Sequence, residues 1–234
     1  MQLNLKADLI TSLEFKYIPF KKDYKISNGC LVWANPNLYL QGAGAQHIDT
    51  GIIGDGKKTT FDFVYSSKDD NQAIFGSRVS SSSRNLSFVQ LTGFPHGRFD
   101  YSAAGSGYDI SANQNQKNHI VSTIKDEQYI VCNYSQNGKV LGTFSKTLSS
   151  FTTPSAMVLF ARRDNSTVGA FTTEGKIYYF KIYEEGVLVR HFVPVPQGLE
   201  IGNFTCPSNG MFDIVNQQFY ANLGTGDFIY GKDE

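Results

Sequence analysis

Residues 176–195 constrain the fold most, because they read as two apolar arms joined by a tight turn. Both arms are rich in β-branched and aromatic residues, which suit a pleated and packed surface. Glu184, Glu185 and Gly186 separate the arms, and glycine adopts without steric cost the positive φ that closes a three-residue hairpin loop. The sequence therefore predicts a β-hairpin with a three-residue loop.

The first arm of this hairpin has two largely apolar faces. One face would carry Tyr178, Phe180 and Ile182, and the other Ile177, Tyr179 and Tyr183. A strand of this kind lies in the centre of a sheet and is covered on both sides. We expect the side chains of Phe180, Ile182, Leu188 and Phe192 to lie within or beside the core.

The rest of the chain alternates short apolar segments with turns of Gly, Asn and Ser. Candidate strands are residues 38–40, 46–49, 59–65, 73–75, 86–91, 98–101, 119–124, 129–134, 139–144, 156–161, 211–215, 218–221 and 227–230. Residues 60–65 alternate clearly, and Asn137-Gly138 is a strong hairpin-turn signal. Without a sustained helical period, this pattern predicts an all-β antiparallel sandwich of two sheets.

Composition excludes several classes of partner. The chain of 234 residues has 21 basic and 21 acidic residues, so no overall charge attracts nucleic acid or an anionic membrane. No apolar run reaches the roughly 18 residues of a membrane span, and no secretory signal is recognisable. We therefore expect folding in a cytoplasm, with no nucleic-acid partner and no membrane insertion. Cys30, Cys132 and Cys206 are too far apart for a zinc motif and are expected to be buried free thiols.

Residues 1–38 differ from the remainder and are predicted to be an N-terminal arm that precedes a domain at 39–234. The first 20 residues carry nine large apolar side chains, among them Leu3, Leu9 and Phe20. Apolar surface of this extent is expected to pack on the domain or on another chain. We expect the arm to attach the protein to a partner or to hold copies together. A first strand followed by a solvated loop remains the alternative.

Residues 103–118 form the longest polar segment and are predicted to be a binding loop. Sugar sites combine an aromatic face with planar amide and carboxylate groups. The candidate carbohydrate-binding residues are Tyr108, Asp109, Asn113 and Asn115, with Arg84 from a neighbouring Ser-rich loop. A solvated loop without a ligand is the alternative interpretation.

No catalytic or metal-binding pattern is recognisable. Glycosidases need two carboxyl groups facing across a cleft, and no predicted strand carries acids at that spacing. The four histidines lack metal-ligand spacing, so neither a metal nor a cofactor is predicted. Trp33 could serve as a sugar-stacking platform, but a buried core position is favoured. The sequence therefore predicts a protein that is not an enzyme.

Several motifs together resemble a known family. They are Gln-His-Ile-Asp-Thr-Gly at 46–51, a hairpin reading Ile-Tyr-Glu-Glu-Gly-Val-Leu-Val-Arg at 182–190, Gly-Met-Phe-Asp at 210–213 and Asn-Leu-Gly-Thr-Gly-Asp-Phe at 222–228. The chain from 39 to 231 resembles the concanavalin A-like (laminin G-like) jelly-roll domains of bacteriophage and prophage structural proteins. Phe212 stands where that family usually has Tyr, and residues 203–209 form an insertion.

The resemblance implies a jelly-roll sandwich in a non-enzymatic virion protein, associated with the capsid or the tail and assembled in the host cytoplasm. It also implies other virion proteins as partners, a homo-oligomer with a trimer as the specific expectation, and host-surface glycans as a further ligand. The family supplies no catalytic residue to carry over. A bacterial carbohydrate-binding module or adhesin is the alternative.

Overall fold

A computed structural model describes residues 22–68, 72–80, 83–91, 96–104, 107–135, 137–169 and 173–234. The described residues form strands and turns without a helix, and two stacked sheets contain most of them. Pairing is antiparallel except where one three-residue strand of the smaller sheet runs parallel to its neighbour. The all-β, two-sheet prediction is therefore confirmed.

The large sheet has ten strands. They are β3 (Leu38–Ala43), β5 (Thr59–Ser66), β10 (Asn118–Lys125), β11 (Gln128–Tyr134), β12 (Val140–Thr147), β16 (Thr173–Glu184), β17 (Val187–Val195), β20 (Gly210–Asp213), β21 (Gln218–Tyr220) and β22 (Ile229–Lys232). Their main order is β12-β11-β10-β5-β16-β17-β20-β21, and β22 pairs with β3, which in turn pairs with β16.

The small sheet has eight strands. They are β4 (Ile48–Asp55), β6 (Gln72–Arg78), β7 (Ser83–Gln90), β8 (His96–Ala104), β9 (Tyr108–Ser111), β13 (Thr152–Leu159), β14 (Arg162–Asp164) and β15 (Thr167–Gly169). Two short hairpins complete the described fold: β1 (Tyr24–Ser27) with β2 (Cys30–Ala34), and β18 (Glu200–Ile201) with β19 (Phe204–Thr205).

The predicted hairpin at 176–195 is present as β16 and β17, and β16 is central in the large sheet. It pairs with β5 along one edge and with β3 and β17 along the other. The predicted three-residue loop is wrong, because Glu184 pairs directly with Val187. The turn consists of Glu185 and Gly186, whose φ angles of 52° and 79° match the two-residue turn that suits strand twist.

A β-bulge at Tyr178 changes the predicted faces of β16. Ile177 pairs with Tyr65 and Tyr179 with Val64, so Tyr178 has no partner on β5. An extra residue shifts the alternation of side chains by one position. Ile177 therefore joins Phe180 and Ile182 in the core, whereas Tyr178 leaves that face.

Phenylalanine rings from both sheets fill the core. Phe63 stacks on Phe180 at 4.9 Å, and Phe180 meets Phe75 of the small sheet edge-on at 4.9 Å. The alternation in residues 60–65 is confirmed, since Phe61, Phe63 and Tyr65 are fully buried. Phe180, Ile182 and Phe192 are buried as predicted.

Leu188 departs from the predicted core. It is only half-buried in β17, and its neighbour Val189 packs against the core cluster instead. Irregular register between Ile182 and Tyr183 accompanies this change.

A second apolar cluster lies where β1 and β2 pack on the large sheet. It includes Tyr24, Leu31, Val193 and Phe212. The Tyr24 hydroxyl donates to the Pro194 carbonyl at 2.8 Å, and Gln217 bonds both the N–H and the carbonyl of Leu31 at 2.8 Å. Residues 22–38 of the predicted arm therefore pack on the sandwich. Residues 1–21 lie outside the described residues, and the anchoring role of the arm stays a prediction.

Two predictions about burial are wrong. Trp33 is 45% exposed instead of buried in the core. Leu31 and Trp33 would share a face of a regular β2, but Lys25 pairs with Trp33 and Ile26 with Leu31, so Val32 has no partner in β1. This extra residue shifts the alternation, and Trp33 leaves the buried face that Leu31 occupies. Of the three cysteines only Cys206 is buried, while Cys30 and Cys132 are half-buried, and all three are free.

The polar segment 103–118 is not one continuous loop. Residues 108–111 form β9, which pairs with β8 from His96↔Ser111 to Phe99↔Tyr108. Buried Ile110 anchors the strand in the core cluster. The binding loop predicted at 103–118 is thus reduced to the segment between β9 and β10.

The motifs behind the family resemblance have structural roles. Asp213 is fully buried and accepts hydrogen bonds from the N–H groups of His191 and Val215 at 2.8 and 3.0 Å. Asn222 accepts from the His47 N–H at 3.1 Å and donates to the Gly226 carbonyl at 2.6 Å. The Asp213 contacts thus join β17 to the end of β20, and the Asn222 contacts join the segment after β21 to His47, just before β4.

Candidate functional site

A polar groove of about 920 Å3 opens at one end of the large sheet. It is lined by Ser66, Asn113, Asn115, Gln116, Lys117, Ser135, Asn137, Leu141, Lys176, Tyr178, Asp233 and Glu234. The lining comes from the β9–β10 loop, the β11–β12 turn, β16 and the segment after β22. Small-molecule sites are commonly clefts of 300–1,000 Å3 with converging polar groups, so this groove has the size of a ligand site.

The β9–β10 loop is held in one conformation by buried Asn118. The Asn113 N–H donates to Asn118 Oδ1 at 2.8 Å, and Asn118 Nδ2 donates to the carbonyls of Asn113 and Gln116 at 2.7 and 3.0 Å. The Asn115 N–H donates to the Ser67 carbonyl at 2.9 Å. Because the backbone is fixed at both ends, the exposed amides of Asn113 and Asn115 project from a rigid loop.

Asp233 gathers the charged groups of the groove. It accepts from the Tyr178 hydroxyl at 2.5 Å and from Lys176 Nζ at 2.9 Å, and Lys117 Nζ lies 3.6 Å away. Burial works to raise the pKa of Asp233, but the hydrogen bonds from Tyr178 and Lys176 outweigh it and lower this pKa. Burial and the adjacent carboxylate raise the pKa of Tyr178, which keeps its phenol protonated. Asp233 is therefore a fixed carboxylate at neutral pH.

The aromatic rings beside the groove are covered by lysine ammonium groups. Lys117 Nζ lies 4.3 Å from the centre of the Tyr178 ring, and Lys176 Nζ lies 3.9 Å from that of Tyr39. Cation–π contacts of this kind hold the lysines in place. The groove therefore presents amides, ammonium groups and a carboxylate, while a lysine occupies one face of each of these two rings.

The structure brings together two of the five candidate residues, Asn113 and Asn115. Tyr108 and Asp109 lie in β9, where Tyr108 stacks on Phe144 at 5.2 Å and Asp109 pairs with Arg98 Nε at 3.2 Å. Arg84 is exposed in β7 and is not among the groove residues.

Sequence reasoning missed Lys117, Lys176, Tyr178 and Asp233. By pattern Lys117 and Lys176 are ordinary surface residues, and regular alternation predicts Tyr178 on the core face with Phe180. Asp233 reaches the groove only because β22 pairs with β3 beside β16. No local sequence signal reports that pairing.

The described ranges contain neither a metal-binding cluster nor a membrane-spanning helix. They contain no group of three or more His, Cys, Asp or Glu side chains placed to hold a metal ion. None of these residues forms an apolar helix of membrane-spanning length.

Comparison with known proteins gives a structural likeness only. No protein-family model and no curated protein matches the sequence. The native heptameric SAP-like pentraxin from Limulus polyphemus is 12% identical and superposes with a TM-score of 0.50, covering 84% of this chain and 95% of the pentraxin. The full-length tailspike protein 2 of Escherichia coli O157:H7 bacteriophage CAB120 is 12% identical over 82% of this chain and 28% of its own, with a TM-score of 0.34, too low to bear on the fold. The pentraxin likeness and the two-sheet topology identify the fold as a concanavalin A-like jelly-roll sandwich.

Proposed function

We propose that this chain is a non-enzymatic structural component of a bacteriophage virion that binds a host-surface glycan in the polar groove. The groove carries the proposal, because its rigid loop presents two exposed amides beside a fixed carboxylate. An amide offers donors and an acceptor in one plane, which suits the paired hydroxyls of a sugar. Lys117 and Lys176 balance Asp233 and Glu234 in charge, which favours a neutral glycan over a strongly charged polymer.

The chemistry of Asp233 argues against a role as the general acid of a glycosidase. A glycosidase general acid needs a raised pKa so that it holds a proton near neutral pH. The pKa of Asp233 is lowered instead, and its two oxygens are engaged by Tyr178 and Lys176. This carboxylate therefore has no proton to donate near neutral pH and suits hydrogen bonding to a ligand.

The virion assignment rests on the sequence resemblance of residues 39–231 to phage structural domains. The motif residues Asp213 and Asn222 make hydrogen bonds that stabilise the sandwich. The resemblance therefore includes residues that stabilise the fold. A fold alone does not imply a function. The proposal that the protein binds a glycan therefore depends on the groove. The proposal that it belongs to a virion depends on the sequence motifs.

A glycan array probed with the purified protein tests the binding proposal. We expect saturable binding to a bacterial surface polysaccharide that is lost in the Asn113→Ala/Asn115→Ala variant. The control is Asn203→Ala/Asn216→Ala, which removes two exposed amides outside the groove and should bind normally. Equal binding by both variants would place the site elsewhere.

Two further assays test the remaining parts of the proposal. Mass spectrometry of purified phage particles should detect this chain, and detection only in a secreted bacterial fraction would favour the carbohydrate-binding module or adhesin. Incubation with the bound polysaccharide should release no reducing ends. Release that disappears on replacing one carboxylate would show an enzyme.

A further inference from the structure

A smaller pocket adjoins the polar groove and contains the exposed tryptophan. This Trp33 pocket has a volume of about 210 Å3 and is lined by Trp33, Pro36, Tyr179, Lys181, His191 and Val193, among others. Tyr178 lines both the pocket and the groove. Asn37, just after the pocket residues, accepts a hydrogen bond from the groove residue Lys117 at 3.0 Å. The two cavities are therefore neighbours with a shared wall.

The polar groups at the base of the pocket are oriented in advance by Asp62. Its Oδ1 lies 2.7 Å from the Tyr179 hydroxyl and 2.8 Å from His119 Nε2, and its Oδ2 accepts from Lys181 Nζ at 3.0 Å. Burial opposes ionisation of Asp62, yet hydrogen bonds from His119, Tyr179 and Lys181 lower its pKa to about 2. Asp62 thus remains charged and holds Tyr179 and Lys181 in fixed positions.

The pocket has no net charge to attract an anion. The ammonium of Lys181 is compensated by Asp62. Burial, with the nearby Lys181, lowers the pKa of His191 to about 4, so its imidazole is neutral at neutral pH. A neutral imidazole offers one donor and one acceptor. Together with the hydroxyl of Tyr179, these groups suit an uncharged polyhydroxyl ligand.

Trp33 supplies an exposed aromatic side chain next to the polar groove. It is 45% exposed, whereas the rings of Tyr178 and Tyr39 are covered by lysines. A cavity of about 150 Å3 holds one benzene ring, so a pocket of 210 Å3 has room for a single six-membered ring.

We propose that the Trp33 pocket binds one neutral pyranose ring stacked on Trp33, next to a second sugar unit in the polar groove. This inference rests on the proposed glycan function and specifies the ligand as an uncharged oligosaccharide of at least two units. A contact between copies of the chain is less favoured, because the wall beside Trp33 includes Tyr179 and Lys181, whose polar ends Asp62 holds, together with apolar residues such as Val193.

Trp33 is the only tryptophan, so its fluorescence reports on this pocket alone. The probes are glucose, galactose, mannose, N-acetylglucosamine and their β-linked dimers, with glucuronate as the anionic comparison. We expect at least one neutral sugar to shift the emission saturably to shorter wavelength and to protect Trp33 from acrylamide. Glucuronate should have no such effect. No response to any neutral sugar, or an equal response to glucuronate, would overturn the proposal.

Variants separate this inference from the proposed function. Trp33→Ala should weaken binding of the array glycan by about tenfold, since a lost ring contact contributes up to about 1.5 kcal/mol. Ile26→Ala, an exposed apolar residue of the same hairpin, should bind normally. Normal binding by Trp33→Ala, with loss in Asn113→Ala/Asn115→Ala, would overturn the proposal for the Trp33 pocket and leave the groove function intact.

A contact between copies is tested by dilution without sugar. A change of Trp33 emission, together with a change of mass in light scattering, would show that Trp33 lies between copies and would also overturn the proposal for the pocket.

Discussion

Asn118 and Asn113 exchange two hydrogen bonds, from the Asn113 N–H to Asn118 Oδ1 at 2.8 Å and from Asn118 Nδ2 to the Asn113 carbonyl at 2.7 Å. The Asn118 side chain is fully buried. It makes the hydrogen bonds to the loop backbone that a neighbouring strand would otherwise make. Asn133 Nδ2 supports it from β11 by donating to the Ser111 carbonyl at 2.6 Å and to Asn118 Oδ1 at 3.2 Å. Buried Asn118 thus fixes the position of exposed Asn113.

Replacing Asn118 with Ala should lower the free energy of unfolding by about 1–3 kcal/mol, because buried backbone groups lose their partners. Glycan binding should fall as well, since the groove loop is no longer fixed. Urea denaturation and glycan titration measure the two effects. The matched control is Asn113→Ala, whose side chain is exposed, and its stability should change by less than about 0.5 kcal/mol. Equal stability of both variants would show that the loop does not depend on Asn118.

Replacing Phe180 with Ala should cost about 3–5 kcal/mol of unfolding free energy, because it leaves a cavity among Phe61, Phe63 and Phe75. Val187 at the hairpin turn is 64% exposed, so Val187→Ala should be nearly neutral. Thermal or urea unfolding provides the comparison. A loss below about 1 kcal/mol for Phe180→Ala would contradict the core described above.

Stability should decrease as pH falls from 6.5 toward 4, through His191. Burial lowers the pKa of His191 from 6.5 to about 4 in the folded protein, so the unfolded chain binds more protons across this window. The contribution of His191 is therefore complete above pH 6.5 and is lost as pH approaches 4. The shift from 6.5 to about 4 corresponds to about 3 kcal/mol.

Urea titrations at several pH values measure this slope in wild type and in His191→Gln. The variant should lose most of the slope between pH 4 and 6.5. A residual slope is expected from His47, whose pKa burial also lowers. Identical slopes in the two proteins would mean that His191 is protonated with equal ease in the folded state.

Deleting residues 1–21 should leave the sandwich folded and change its assembly. The described hairpin remains intact in this truncation, including the hydrogen bond from Tyr24 to Pro194. A cut at residue 28 would instead remove β1 and test folding more than anchoring. Light scattering should show a smaller oligomer, and incorporation into phage particles should fall. Unchanged mass and unchanged incorporation would mean that the segment has no anchoring role.

Sequence patterns predicted the elements that depend on local chemistry. The alternation of Phe61, Phe63 and Tyr65 and the turn signal at Gly186 reflect side-chain period and backbone conformation, which any short segment reveals. Features set by tertiary contact were missed. The bulge at Tyr178 is invisible in a run of aromatic residues, and it decides whether Tyr178 faces the core or the groove.

The sequence predicted only those residues of the candidate site that lie in one continuous segment. Asn113 and Asn115 lie in a polar loop that composition alone makes conspicuous. Asp233 joins them through the pairing of β22 with β3, across almost the whole chain. Trp33 was assigned to the core because tryptophan is usually buried, and only the packing of the β1–β2 hairpin shows its exposure.

The most direct test of the account is an NMR titration of the side-chain amides with the polysaccharide fragment that the glycan array selects. The account predicts saturable shifts of the Asn113 and Asn115 amide signals at the concentration that gives half-maximal binding, with Asn203 and Asn216 unchanged. A fragment that binds without moving the signals of Asn113 and Asn115 would contradict the assignment of the groove as the glycan site.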